Sequence, residues 1–371
     1  MDTSYDNIYG GYYMDNIKTY KRCGNVAKKI VNDECYTDVN DIYKELSQWA
    51  KLGKFKNKNI ICPCDWFISE YSYVYSFTIT FDEYFKKYVK VTTNSVKTID
   101  NNPYCDLWET NVLSSVEQLF PIDLFKQSLN ENPTCNFIKV LFENAREWGI
   151  KSITASGYNP KYGDGIPFQN VDYSQYDICI TNPPFSLYKQ FMLSVVDKID
   201  FITIAPFLSR GVGLTGQYLM QKKIFLGFGV EEHMLFDNPT YNSSKRVNCD
   251  WLTSFSDAQT ERNNKHFKTG VKYADNSYLI MPNMIMKSGN CPIRVGMSSY
   301  PDDYNDWMFG TIGILDKLDQ SVYEYYISDC ASFYNENPDF SPFRDKIKTL
   351  SVHLIENGQN SFNGIIFRKK V

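Results

Sequence analysis

Two prolines stand directly behind a short apolar run in YDICITNPPFSLYKQFM, residues 176–192. Proline fixes φ and has no N–H to donate, so it interrupts strands and helices alike. The stretch therefore predicts a buried strand over YDICIT and a helix that restarts only after Pro184, with Leu187, Phe191 and Val195 in one stripe. Between them, Asn182, Pro183, Pro184 and Phe185 form a stiff link at the carboxyl end of a strand. An ordinary turn accounts for one proline at such a place. Two successive prolines suggest a chain held rigid against something.

The surrounding sequence alternates in the same way. DVNDIYKELSQWAKL places Val39, Ile42, Tyr43, Leu46 and Trp49 at helical spacing, and NKNIICPCDWF reads as a buried strand stopped by Pro63. NFIKVLFENAREWG is amphipathic and ends at Gly149; IKSITASGY and DFITIAPF read as strands, GDGIPFQNVD as a loop, GQYLMQKKI as a helix, and FLGFGV and VNCDWLTSF as strands. Strands alternating with helices predict an α/β fold with a mostly parallel, doubly wound sheet. Ligands of such sheets sit outside the carboxyl ends of the strands. Three loops are expected there: Cys62–Asp65, Gly163–Asp172 and Asn182–Phe185. Between residues 68 and 132 the pattern breaks. YVYSFTITF and YVKVTTNSV alternate like strands and LSSVEQLFPIDLFKQSL looks helical, so the stretch reads as an insertion. With 371 residues there is room for a second module. The expected division is a polar, tyrosine-rich arm over 1–30, a core over 31–255 and a further region over 256–371.

The link's chemistry narrows the function. Two prolines remove two local donors, which leaves backbone carbonyls facing outward; Asn182 adds a side-chain acceptor and Phe185 a flat apolar face. Two fixed acceptors beside a stacking plate suit an aromatic exocyclic amine about to receive a methyl group. Such an amine is a poor nucleophile because its lone pair is delocalised. Acceptors that bind its hydrogens draw the nitrogen toward tetrahedral geometry and stabilise the charge that develops. Stacking of a base on an aromatic ring contributes about 1–3 kcal/mol. No general base is required, which agrees with a chain holding three histidines, His233, His266 and His353, far apart in sequence.

The motifs resemble the EcoRI-type adenine-specific DNA methyltransferases. DICITNPPFSLYKQF is similar to that family's target-amine motif, DECYTDV at 33–39 to its cofactor motif, and IICPCDW to its motif of strand, paired cysteines and acid. GIKSITASGYNP, NCDWLTSF and the closing IIFRKK also resemble it, so the likeness runs from about residue 33 to the C-terminus. The resemblance implies a Rossmann-like fold with a C-terminal recognition region, S-adenosyl-L-methionine as methyl donor, and methylation of adenine N6 in double-stranded DNA by base flipping. It assigns Asn182, Pro183, Pro184 and Phe185 to the flipped adenine. Tyr36 and Thr37 fall to the methionine end of the cofactor, Cys62, Pro63, Cys64 and Asp65 to its cradle, and Asp172, with the segment from Phe168, to its adenine edge. Pro63 and Cys64 stand where glycines are common. No acid ends the second strand, so Asn159 or Asp164 is left for the ribose.

Charge sets the alternatives. The net charge of −4 excludes a uniformly basic phosphate grip and leaves local patches, Lys18–Lys29 near the start and Arg344–Lys348 with Arg368–Lys370 near the end. A solvated surface explains each patch equally well. Single-stranded RNA needs no flipping and stays open as a substrate, as do a protein glutamine amide and a non-catalytic nucleic-acid-binding module. No run of eighteen apolar residues suggests a membrane span, the opening MDTSYDNIYGG does not read as a signal peptide, and ten cysteines without paired spacing suggest free thiols in a reducing cytoplasm and no metal site. A cognate restriction enzyme is conceivable for such an enzyme.

Overall fold

The computed structural model describes residues 36–65, 67–68, 72–81, 87–98, 116–130, 136–159, 164–206, 209, 213–230, 232–238, 243–264, 269–275, 279–280, 292–296, 299–327, 355–356, 359–360 and 364–370. The expected arm over 1–30 and the basic patches Lys18–Lys29 and Arg344–Lys348 lie outside them. The chain divides into two compact units, one of Met1–Ile204 with Glu232–Cys249 and one of Ala205–Glu231 with Asp250–Val371.

The first unit opens with β1 (Tyr36–Thr37), α1 (Val39–Lys51) and β2 (Asn59–Cys62), followed by β3 (Phe67–Ile68), β4 (Ser72–Thr80), β5 (Tyr88–Thr98) and β6 (Val116–Pro121). Helices α2 (Ile122–Asn130) and α3 (Asn136–Trp148) lead into β7 (Ser152–Ser156), the short β8 (Tyr158–Asn159) and β9 (Asp164–Gly165), then β10 (Ile178–Thr181), α4 (Tyr188–Val195) and β11 (Asp200–Pro206). Helix α5 (Gly213–Met220) and β12 (Phe225–Leu226), which belong to the second unit, follow in the chain; β13 (Glu232–Asn238) and β14 (Ser243–Thr253) up to Cys249 belong to the first. The sheet runs β1-β13-β14-β11-β10-β2-β7-β4-β5-β6.

Only its centre is parallel. β11, β10, β2 and β7 run together, with Ile178 beside Ile60 and Cys62 beside Ala155, whereas β4, β5 and β6 continue the sheet antiparallel on one side and β13 and β1 on the other. The mostly parallel sheet expected from the helix–strand rhythm is thus a large mixed sheet. The physical reason lies in residues 72–121, whose alternating segments pair as hairpin-type neighbours and add to the edge of β7. Within LSSVEQLFPIDLFKQSL, Val116–Pro121 is strand and only Ile122–Asn130 is helix. In FLGFGV the strand is limited to Phe225–Leu226. From β2 the chain moves out to β7 on one side, then crosses to β10 on the other. This reversal opens a crevice at the carboxyl ends of β2 and β10.

Local chemistry fixes the elements around that crevice. Asp38 caps α1 by accepting from the Asn40 N–H at 2.8 Å. The helix buries Ile42, Leu46 and Trp49, and buried Glu45 is satisfied by the Trp49 indole N–H at 2.7 Å. Tyr43 stays half-exposed yet stacks on Trp148 of α3 at 6.1 Å. Helix α3 ends as its sequence predicts: Gly149 has φ +67°, and the Ile150 N–H closes back on the Ala145 carbonyl at 2.8 Å. Each fully buried side chain of this size contributes about 1.5–3 kcal/mol.

The second unit carries α6 (Asp257–Asn264) and a five-stranded sheet of β15 (Leu279–Ile280), β16 (Ile293–Arg294), β17 (Met308–Thr311), β18 (Tyr323–Ile327) and β21 (Gly364–Lys369), in the order β15-β16-β17-β21-β18; β19 (Ile355–Glu356) and β20 (Gln359–Asn360) pair separately. Its core holds Tyr300, Met308, Phe309, Tyr323 and Ile365–Phe367. Arg262 of α6 donates to the Leu226 and Gly227 carbonyls, each at 2.7 Å.

Candidate active site

The Asn182–Phe185 link is built outward from β10. Asp177 sets its start: the carboxylate accepts from the Asn59 N–H at 2.7 Å and pairs with Lys58 at 3.3 Å, which locks β10 to β2. Burial would raise this carboxyl, but those two partners and nearby Lys151 hold it below the usual range. Ile178, Cys179, Ile180 and Thr181 are all buried. At the far end, the Thr181 hydroxyl donates to Asp65 Oδ2 at 3.3 Å, and its carbonyl accepts from the Thr203 hydroxyl at 2.9 Å.

The prolines then turn the chain. Pro184 has φ −53° and ψ 126°, and its carbonyl accepts from the Leu187 N–H at 2.8 Å to close the turn Phe185–Leu187. This corrects one expectation: the turn consumes one of the two proline carbonyls, because residues 185–187 supply the donor that the prolines lack. Among the described residues no hydrogen bond reaches the Pro183 carbonyl. The Asn182 amide donates through Nδ2 to Thr37 Oγ1 at 3.2 Å, while its Oδ1 is buried with no partner among the described residues. A buried acceptor left unpaired costs free energy and calls for a donor from elsewhere. Phe185, half-buried, meets Phe236 edge-to-face at 6.0 Å.

Thr37 and Phe236 are themselves cross-strand partners in the β1–β13 ladder. One pair of neighbours on one face of the sheet therefore supports both the amide and the ring of the link. The ladder is pinned by the Asp38 N–H on the Leu235 carbonyl at 2.9 Å and by the Leu235 N–H on Asp41 Oδ2 at 2.8 Å. Asn136, at the start of α3, donates to the Thr37 carbonyl at 2.8 Å.

The segment CPCD forms the turn that leaves β2. Cys62 and Asp65 are buried, Cys64 is half-buried, and the Asp65 N–H reaches the Cys62 carbonyl at 3.4 Å. Buried Tyr173 donates its hydroxyl to the Phe168 carbonyl at 2.9 Å, and burial, then the neighbouring Cys179 and Cys64, push its phenol well above the ordinary value. Segment 168–173 is thereby packed near the CPCD turn. Asp172 behaves differently. It is exposed and caps its own short turn, accepting from the Ser174 hydroxyl at 2.6 Å and from Gln175 at 2.9 Å, and these bonds lower its carboxyl pKa.

Sequence reasoning passed over four residues. Phe236 lies in a strand that it did not assign, Asn136 reads as an ordinary helix start, and Thr181 as core. Ser156, at the carboxyl end of β7, buries a hydroxyl that has no partner among the described residues. Its signal, a serine ending an apolar strand beside β2, is visible in SITAS only once the strand order is known. Cys62, Cys64, Cys179 and Cys249 form no disulfide among the described residues, which also contain no group of three or more His, Cys, Asp or Glu able to hold a metal ion. No described helix is long and apolar enough to cross a membrane.

A family model described as adenine-specific methyltransferase EcoRI matches residues 24–325 of the 371. The chain belongs to that family. No curated protein and no solved structure matches the chain.

Proposed function

We propose that this adenine-specific methyltransferase acts on the N6 amine of adenine in double-stranded DNA, at a specific sequence, by taking the base out of the helix into the Asn-Pro-Pro-Phe pocket. The observation that carries the reading is the buried Oδ1 of Asn182, unpartnered among the described residues, beside the half-buried ring of Phe185. Asn182 Oδ1 accepts one N6 hydrogen and the Pro183 carbonyl the other, and Phe185 lies against the base. Drawing both hydrogens away from the ring plane frees the nitrogen lone pair, and the same two acceptors stabilise the positive charge that N6 gains as the new C–N bond forms. The extra proton then leaves to water.

S-adenosyl-L-methionine, when bound, would supply an electrophilic methyl group on a sulfonium, whose carbon–sulfur bond breaks as the C–N bond forms and leaves a neutral thioether. The crevice at the carboxyl ends of β2 and β10 is the proposed seat of that nucleoside. The Ser156 hydroxyl, unpaired among the described residues, stands at the end of β7, on the strand adjoining β2, as a proposed partner for a ribose. Buried Asp65, held by Thr181, offers negative charge to the ammonium of a methionine. Tyr36, Cys62, Pro63 and Cys64 complete the proposed donor side, and Asp172 its outer rim. The parallel order β11-β10-β2-β7 supports a Rossmann-like reading of the central sheet. Residues 256–371 are the proposed target-recognition region, and the cytoplasm, with a cognate restriction enzyme, is the proposed setting.

Purified protein is expected to transfer labelled methyl from S-adenosyl-L-methionine to adenine in duplex DNA, and Asn182→Ala to lower the rate at least about a hundredfold, the scale for losing a donor or acceptor at a developing charge. Undiminished transfer by that variant would remove Asn182 from the mechanism. Methylation of RNA alone would move the substrate class.

A further inference from the structure

An amide side chain has two unlike ends, and only one orientation serves an amine. For Asn182 to present Oδ1 to a target hydrogen, its nitrogen must lie on the protein side, where a buried N–H without an acceptor is costly. The acceptor on that side is Thr37 Oγ1, 3.2 Å from Nδ2. Thr37 is itself held from three directions. Its backbone pairs with Phe236, its carbonyl accepts from Asn136 at 2.8 Å, and its side chain is buried at 3% exposure. Its β-branched side chain has few rotamers, so the hydroxyl sits in a fixed place.

We propose that Thr37 is a positioning residue for Asn182: its hydroxyl oxygen accepts from Nδ2 and keeps Oδ1 turned toward the target amine. The inference rests on the reading of Asn182 as the acceptor of adenine N6, and it gives Thr37 a task separate from contact with the methyl donor. Threonine at this position makes the edge strand β1 a part of the amine-binding apparatus. The outermost pair of the sheet thus acts on the reacting centre through a side chain that starts 145 residues further along the chain.

The test compares full-length wild type with Thr37→Val, which keeps the shape and removes the oxygen, and Thr37→Ser, which keeps the oxygen. Three quantities are measured: single-turnover methyl transfer to duplex DNA made by amplification and so free of methyl marks, calorimetric affinity for S-adenosyl-L-methionine, and hydrogen exchange of the Asn182 side-chain amide, assigned by its loss in Asn182→Ala. Thr37→Val is expected to slow transfer about tenfold, equivalent to one hydrogen bond at about 1.4 kcal/mol. Thr37→Ser should stay within about threefold, donor affinity should change less than about twofold in both, and the amide should exchange faster only in the valine variant. Wild-type speed in Thr37→Val, or a loss that appears as weakened donor affinity, overturns the proposal. If the valine variant does not fold, fast amide exchange in the wild type overturns it and slow exchange that persists in Thr37→Ser supports it. Undiminished transfer by Asn182→Ala instead sinks the acceptor reading beneath it, whatever Thr37 does.

Discussion

At the entry to β10 a single polar side chain, Asp177, fixes where the strand can lie. Its carboxylate accepts from the Asn59 N–H, and its own N–H donates to the Asn59 carbonyl at 2.8 Å. The Lys58 pair is partly exposed and adds little. Asp177→Ala is therefore expected to cost about 1 kcal/mol at pH 7, read by urea unfolding. The sign of its pH dependence follows from a folded carboxyl held below the ordinary value. Its contribution is complete above the unfolded value of about 3.9 and is lost as pH falls through the lower folded one. The alanine variant should show a correspondingly weaker fall in stability on the acid side, and equal falls in both proteins would remove Asp177 as its source. At this scale the sequence was legible wherever chemistry is local. DICITNPPF displays strand, breaker, acceptor and ring in one stretch. Thr37, Asn136 and Phe236 act across long separations, and nothing in their own neighbourhoods announces it.

Among elements, the helices α1 and α3 and the strands β2, β7, β10 and β11 follow directly from period and punctuation, since each buries one stripe or a short apolar run between turn residues. The antiparallel flank β4–β6 does not. Alternation in YVYSFTITF and YVKVTTNSV states that these are strands, but no local feature says that they extend the central sheet beyond β7. Strand pairing is a choice of partner, and partners are not written in a strand's own residues. A sharper constraint operates in the second unit. Gly364 opens β21 beside β17, where an added Cβ would stand 2.4 Å from the Gly310 carbonyl oxygen and 2.6 Å from the Phe309 ring. The ring has room to turn only at the expense of the core, and the carbonyl belongs to the backbone of β17. Gly364→Ala is expected to destabilise that unit by about 1–3 kcal/mol, seen as a lower unfolding midpoint. An unchanged midpoint would show that β17 and β21 separate without cost.

For the whole molecule the question is how a chain of net charge −4 meets a polyanion. The basic residues that close the sequence are engaged within the second unit. Arg368 lies over Trp307 at 4.3 Å and pairs with Glu324, Lys369 donates to the Asp302 carbonyl, and Lys370 donates to the Gln320 and Ser321 carbonyls at 2.7 and 3.1 Å. Each phosphate contact adds about 0.9 to the slope of log affinity against log salt. Arg368→Ala is expected to leave that slope for duplex DNA unchanged and to lower the stability of the second unit by about 1 kcal/mol through loss of the aromatic contact. A slope shallower by about one would make Arg368 a phosphate ligand.

The pairing of Thr37 with Phe236 also has a bearing on time. During synthesis the link from Asn182 to Phe185 is made well before Glu232–Asn238, the strand that backs it. At about 5–20 residues per second, roughly 3–10 s separate the two. Throughout that interval the nascent chain carries Asn182–Phe185 without the Phe236 ring at its back, and Thr37, though already made, lacks the strand it pairs with. The surroundings of the motif are therefore complete only with the closing of a sheet edge, not with the motif itself.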